Sequence, residues 1–228
     1  MRICFLAKKD KPGVKEASDY LKKNNYELDE FYGDLSDDLP KGLLINNYDI
    51  IISYISPWIV PKKVLEKTKY WNLNFHPGPP EYPGIGCFNF AIYDEVTHFG
   101  STAHIMNSKV DTGKIIGVKR FKTEDNENVV SLSKKTYKVQ IELFLEIMSY
   151  ISKNNSLPSS NEKWRRLPYK RTELESLSEI KIDMDTEEIK KRINATYFPG
   201  KPPPFICLGN HIFEYNENSK RKSKINNQ

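Results

Sequence analysis

Asn74, His76 and Asp111 are the residues whose types and spacing suit chemistry. Asn74 and His76 close the apolar run "LNFH", and residues two apart on a strand point to the same face. Phe75, between them, then points into the core. Proline disfavours the helical region for the residue before it, so Pro77 helps to hold His76 at an extended strand end. Asp111 belongs to a second loop, "VDTG", between two predicted strands, where a short turn can aim its carboxylate at the same edge. An amide, an imidazole and a carboxylate so grouped suit acyl transfer to an amine. The imidazole moves a proton, the carboxylate orients it and stabilises its charge, and the amide NH2 donates to an oxyanion. No Ser or Cys nucleophile is needed when the substrate amine itself attacks. From spacing alone, the same residues serve equally as a strand cap and an ordinary turn. One imidazole with one carboxylate is a sparse ligand set, so no metal is expected.

The loop that follows, "HPGPPEYPGIG", carries four prolines and three glycines, which exclude both helix and strand and restrict the backbone around His76. The elements that must position it read as an α/β pattern. "RICFLA" is a strand, residues 12 to 24 a helix, and "YELDEFY", "YDIIISYI" and "YWNLNF" further strands separated by helix-sized connections. That order predicts a three-layer, Rossmann-like fold with ligands outside the carboxyl ends of a mainly parallel sheet. "GIGCFNFAIYDE" has helical spacing, "GSTAHIMNS" and "GKIIGVKRF" read as strands that make the sheet mixed, and residues 129 to 153 form a long amphipathic helix. The polar connector "KNNSLPSSNEKWRR" then marks a boundary, giving a catalytic domain over residues 1–153 and a small α+β appendage over 154–228. In the appendage a helix near 185 to 194 precedes "FICLGNHIFEY", a β-hairpin turning on Gly209-Asn210.

With 228 residues, 38% of them hydrophobic and 29% charged, the chain has the composition of a globular domain. No segment is apolar over the ~18 residues of a membrane span, and "MRICFLAKKD" has too short an apolar core for a secretory signal, so a cytoplasmic location is expected and no membrane partner. The net charge of +5 is spread over interspersed acids and bases, and the basic tail "SKRKSKINNQ" reads as a solvated end; no nucleic-acid partner is expected. Cys4, Cys87 and Cys207 lack metal-ligand spacing and read as inert thiols. His98 and His104 read as strand-end or packing residues, and His211 as part of the distal hairpin.

"LNFHP", "GSTAH" and "VDTGKII" together resemble the folate-dependent formyltransferase family, in which an Asn and a His in an N-x-H motif are joined by an Asp some three dozen residues later. "NFHPGPPEYPGIGCFNFAIYDE" is similar to the sugar-nucleotide N-formyltransferases of bacterial surface-polysaccharide synthesis. The resemblance covers about residues 1 to 150 well and the appendage more loosely. It implies Asn74, His76 and Asp111 as catalytic residues, N10-formyltetrahydrofolate as cosubstrate, and a dTDP-linked amino sugar as acceptor. It further implies a folate lying between Trp58, Ile59 and Val60 on one side and the loop of Asn107, Ser108 and Val110 on the other. The proline-rich loop, with Pro77 and Gly78, then walls the acceptor.

For the acceptor, "RINATYFPGKPPPF" offers Tyr197, Phe198 and Lys201 as a platform for a base and diphosphate, and Lys8 or Lys9 adds charge; these aromatics serve equally to pin the appendage to the core. The hairpin is too small to hide both faces alone, so a homodimer is expected. The activity expected is formyl transfer to dTDP-4-amino-4,6-dideoxyglucose for O-antigen or other surface polysaccharide. The rivals are transfer to methionyl-tRNA or another small amine, and hydrolysis of the formyl-folate. The tRNA enzymes resemble a longer chain with a C-terminal β-barrel, and a purine-pathway enzyme is expected to carry a Gly-rich phosphate turn where "AKKDKPG" stands.

Overall fold

A computed structural model describes residues 1–219; most of the basic tail therefore lies outside the described residues. Six strands, β1 (Arg2–Lys8), β2 (Glu27–Gly33), β3 (Ile50–Tyr54), β4 (Trp71–His76), β5 (His98–Ile105) and β6 (Ile115–Lys122), form one sheet in the order β2-β1-β3-β4-β5-β6. The first four run parallel and the last two pair antiparallel, as the sequence pattern anticipates.

Alternation along the strands builds the layers. Ile3, Phe5, Ala7, Ile50, Ile52, Tyr54, Leu73 and Phe75 face one side, where they pack on α1 (Val14–Lys23) and the long α5 (Val129–Asn154). Cys4, Leu6 and Ile51 face the other, covered by the short helices α2 (Lys41–Ile45) and α3 (Lys62–Leu65). A strand pair buried on both faces needs continuous apolar sequence, which "RICFLA" and "DIII" supply. Helix α1 starts at Val14, two residues later than the periodicity predicts, because Gly13 ahead of it takes φ +81°. The N-terminus of α5 is fixed by a reciprocal cap in which the Asn128 side chain accepts from Ser131 N at 2.9 Å and Ser131 Oγ accepts from Asn128 N at 3.0 Å.

After α5 the connector folds back along the proline-rich loop before entering α6 (Arg171–Ser178) and α7 (Thr186–Thr196). Helix α6 escapes sequence reading: its eight residues carry apolar side chains only at Leu174 and Leu177, too few for a period. The two helices are stapled by Arg192, whose guanidinium donates to the Ser176, Leu177 and Glu179 carbonyls at 2.9 to 3.2 Å. Helix α7 packs on α4 (Cys87–Tyr93), with Asn89 Nδ2 donating to the Ala195 carbonyl at 2.7 Å. The hairpin of β7 (Phe205–Leu208) and β8 (His211–Glu214) turns at Gly209-Asn210 with Gly209 at φ +60°, and Ile212 and Phe213 are exposed on it. Among the described residues no helix is long and apolar enough to cross a membrane.

Candidate active site

β4 and β5 place Asn74 opposite His104 and His76 opposite Thr102. The next ladder shifts register between Ala103 and His104, which pair with Gly117 and Ile115, a local irregularity that re-aims side chains beside it. Asp111 is delivered by the β5–β6 turn at φ +44°, a left-handed conformation that Asp tolerates better than most residues. Gly113 completes that turn, because a Cβ there would stand 1.7 Å from the Ile105 carbonyl oxygen.

The three elements bring Asn74, His76 and Asp111 together as the motif spacing anticipates, and add His104. Asp111 is buried, with Oδ2 3.2 Å from His76 Nδ1 and Oδ1 3.2 Å from His104 Nε2. Asn74 Nδ2 donates to Asp111 Oδ1 at 3.2 Å and lies 2.9 Å from His104 Nε2, while the Gly84 amide donates to Asp111 Oδ2 at 2.8 Å. Gly84 takes φ +87° with the Tyr169 backbone 2.5 Å from where a Cβ would stand, so only glycine presents its amide there. Burial pushes the Asp111 carboxyl up, but the two imidazoles and the Gly84 amide outweigh it and hold the group well below the usual carboxylate range. Asp111 is thus an ionised carboxylate at the centre of the cluster.

This geometry corrects two expectations. His104 is not a packing residue: its Nδ1 lies 2.9 Å from the Ile105 carbonyl, so Nδ1–H donates there and Nε2 accepts from Asn74. With both amide hydrogens held by His104 and Asp111, Asn74 has none left for an oxyanion; its carbonyl oxygen is the free end. His76 and Asp111 are in direct contact. His76 Nε2 lies 2.8 Å from the Tyr82 carbonyl and donates to it, which confines proton uptake by this ring to Nδ1.

A cleft of about 420 Å³ opens beside the cluster. Trp58, Ile59, Val60, Asn107, Val110 and Pro77 line it, with Leu35, Ile55 and Met106 added to the residues the sequence singles out. Ser108 is exposed and does not line it; Gly78 is buried against His76 Nε2. Ile55 stands at φ +55°, a strained conformation for a β-branched residue, of order 1–3 kcal/mol, placed where β3 opens into the cleft. Lys9 is exposed, with its ammonium 3.9 Å from Asp37. Phe198 packs with the α4–α7 cluster, Tyr197 meets Tyr215 edge to face at 5.4 Å beside a separate depression, and neither lines the cleft. Cys4 and Cys87 are buried and their thiols are pushed up to about 12 by that burial, whereas Cys207 is exposed on the hairpin.

Trp164, from the connector, is the other residue that sequence reading misses. Its indole stands edge-on to His76 at 6.0 Å and to His104 at 5.2 Å, held by Nε1 donating to the Gly113 carbonyl at 2.8 Å. Its neighbours tie the proline-rich loop down: Arg165 N donates to Pro80 O at 3.0 Å and Tyr169 N to Pro83 O at 2.9 Å. Among the described residues no group of three or more acidic, His or Cys side chains could hold a metal ion.

A methionyl-tRNA formyltransferase of Prochlorococcus marinus subsp. pastoris is 29% identical to 77% of this chain, which covers 52% of that protein; the chain spans about half the length of the curated relatives it matches. Among solved structures, a sugar N-formyltransferase from Shewanella sp. shares the fold with a TM-score of 0.77 over 94% of this chain and 96% of that one, at 16% identity. An N-formyltransferase from Helicobacter canadensis, in complex with folinic acid and dTDP-3-aminofucose, has a TM-score of 0.67 at 18% identity, covering 85% of this chain and 79% of that one. Residues 8–148 match the family described as formyl transferase, a span that holds Asn74, His76, His104 and Asp111, and the chain belongs to that family.

Proposed function

We propose that this protein moves the formyl group of N10-formyltetrahydrofolate onto the amine of a dTDP-linked amino-dideoxy sugar, with dTDP-4-amino-4,6-dideoxyglucose as the acceptor to test first, for O-antigen or surface polysaccharide. The observation that carries the reading is the ionised Asp111 bridging two imidazoles beside Asn74 at the polar end of an otherwise apolar cleft. The walls of Trp58, Ile59, Val60 and Val110 suit a flat heteroaromatic donor, with Asn107 and Lys109 as polar partners. The acceptor's free amine attacks the formyl carbon while the Asn74 carbonyl oxygen accepts one of its N–H groups. The surplus proton of the adduct goes to His76 Nδ1, where Asp111 stabilises the imidazolium, and returns to folate N10 as the carbon–N10 bond breaks. Asp111, His76 and Asn74 therefore act as charge, proton carrier and amine guide.

Sugar as acceptor, in preference to tRNA, is favoured by the appendage, since the likeness to the Shewanella enzyme runs through it to nearly the full length of both chains. Lys8, Lys11 and Lys201 stand near one another: burial and the charges of Lys8 and Lys201 pull the Lys11 ammonium below its usual range. The reading gives the diphosphate to Lys8, Lys9, Lys11 and Lys201 and the base to the Tyr197 and Phe198 side. Purified protein given formyl-folate and a panel of dTDP- and UDP-amino sugars is expected to formylate a dTDP-4-amino sugar best. Formate released without a sugar would make it a hydrolase, and transfer to methionyl-tRNA alone would overturn the sugar reading.

The same reading includes a homodimer formed through the hairpin, whose Leu208, Ile212 and Phe213 are 40%, 66% and 54% exposed in the single chain. Sedimentation at micromolar concentration is expected to give twice the mass of one chain, 26.5 kDa; a monomer there removes this part of the proposal.

A further inference from the structure

The backbone that carries His76 is held in an unusual way. Four successive carbonyls, from Phe75 to Gly78, each accept from a buried side chain. Gln140 Nε2 donates to Phe75 O at 2.7 Å, Ser101 Oγ to His76 O at 2.8 Å, Cys87 Sγ to Pro77 O at 3.3 Å and Thr102 Oγ1 to Gly78 O at 2.8 Å. Gln140, Ser101 and Thr102 are wholly buried and Cys87 is 5% exposed. The donors come from α5, β5 and α4.

The need for them follows from the sequence. Pro77, Pro79 and Pro80 lack N–H groups, so the chain beyond His76 cannot continue a ladder, yet its carbonyls are buried and require donors. The path so fixed decides where the imidazole points. His76 Nε2 donates to the carbonyl of Tyr82, six residues further along the same loop, and Gly78 lies so close that a Cβ on it would be 2.6 Å from that nitrogen. A shift of the loop therefore turns the ring and moves Nδ1 relative to Asp111. Gln140 gives a second sign that these groups are kept for hydrogen bonding. Its Oε1 is buried with no partner among the described residues, a desolvation cost that an apolar side chain of similar length would avoid.

We infer that Gln140, Ser101, Cys87 and Thr102 are positioning residues that set the orientation of His76 for formyl transfer by fixing the four carbonyls of its strand end. The inference rests on the reading of His76 as the proton carrier. Gln140→Met and Thr102→Val keep volume and remove one donor each, and Thr102→Ser restores the hydroxyl. Steady-state kinetics on these variants, with thermal melts, are expected to show kcat about 10- to 100-fold lower for the first two, the scale on which a displacement of about 1 Å acts. KM for both substrates should stay within about threefold and the variants stay folded at the assay temperature while melting several degrees lower, with Thr102→Ser recovering most of kcat. A double variant should lose less than the product of the two single losses, since both act on one ring. Unchanged kcat in Gln140→Met and Thr102→Val, or a loss that merely follows unfolding in the melts, overturns the inference while leaving His76 in its role. Full turnover by His76→Asn would overturn both.

Discussion

His76→Asn is expected to lower kcat for formyl transfer about 10²- to 10⁴-fold, the usual contribution of a positioned acid–base group. The asparagine amide stands at the level of Nδ1 and falls short of the Tyr82 carbonyl, so that one loop contact is lost, and an amide in place of Nδ1 cannot carry the amine's proton. The clamped carbonyls of residues 75 to 78 do not depend on the imidazole, so the fold and the affinity for formyl-folate should change little. Kinetics over a range of sugar concentrations check this: the loss must fall on kcat with KM nearly constant. A variant that binds the acceptor tenfold more weakly and turns over normally would make His76 a binding residue.

Asp111→Asn is expected to cost about three to four orders of magnitude in kcat, the scale seen when a buried carboxylate beside a catalytic imidazole becomes an amide. An amide cannot neutralise the imidazolium, and its NH2 opposes the donors that Asn74 and Gly84 present. This variant should also change the dependence of stability on pH. The carboxyl is depressed in the folded protein, so its contribution is present above the unfolded value of about 4 and is lost as pH falls from there toward the folded value. Chemical unfolding should therefore show wild type more stable than Asp111→Asn by about 1–3 kcal/mol at pH 7 and a narrowing gap below about pH 4. A gap independent of pH between 7 and 3 would mean that the lost interaction is not that of an ionised carboxylate.

The parts of the fold legible in the sequence are those written by local pattern. Continuous apolar runs mark β1 and β3, the N-x-H alternation puts Asn74 and His76 on one face, and "VDTG" betrays the turn that lifts Asp111. His104 is not legible in the same way. Its partnership with Asn74 depends on the antiparallel register of β4 and β5 and on the irregularity after Ala103, which one sequence does not encode in any short pattern. Trp164 lies 51 residues from Gly113, in a polar stretch whose composition signals only a linker. Ile55 gives no local sign either, since an Ile after an apolar strand predicts more strand and not a left-handed residue.

The return of the connector across the catalytic end has a consequence for engineering acceptor choice by recombination. A chimera that joins residues 1–153 of this chain to another enzyme's C-terminal portion would exchange more than the segment assigned to the nucleotide. It would also remove Trp164, which stands against both imidazoles, and the strap from Arg165 to Tyr169 that pins Pro80 and Pro83. Grafts that cross after Tyr169 retain those contacts, so the useful crossover point lies sixteen residues later than composition suggests, just before α6.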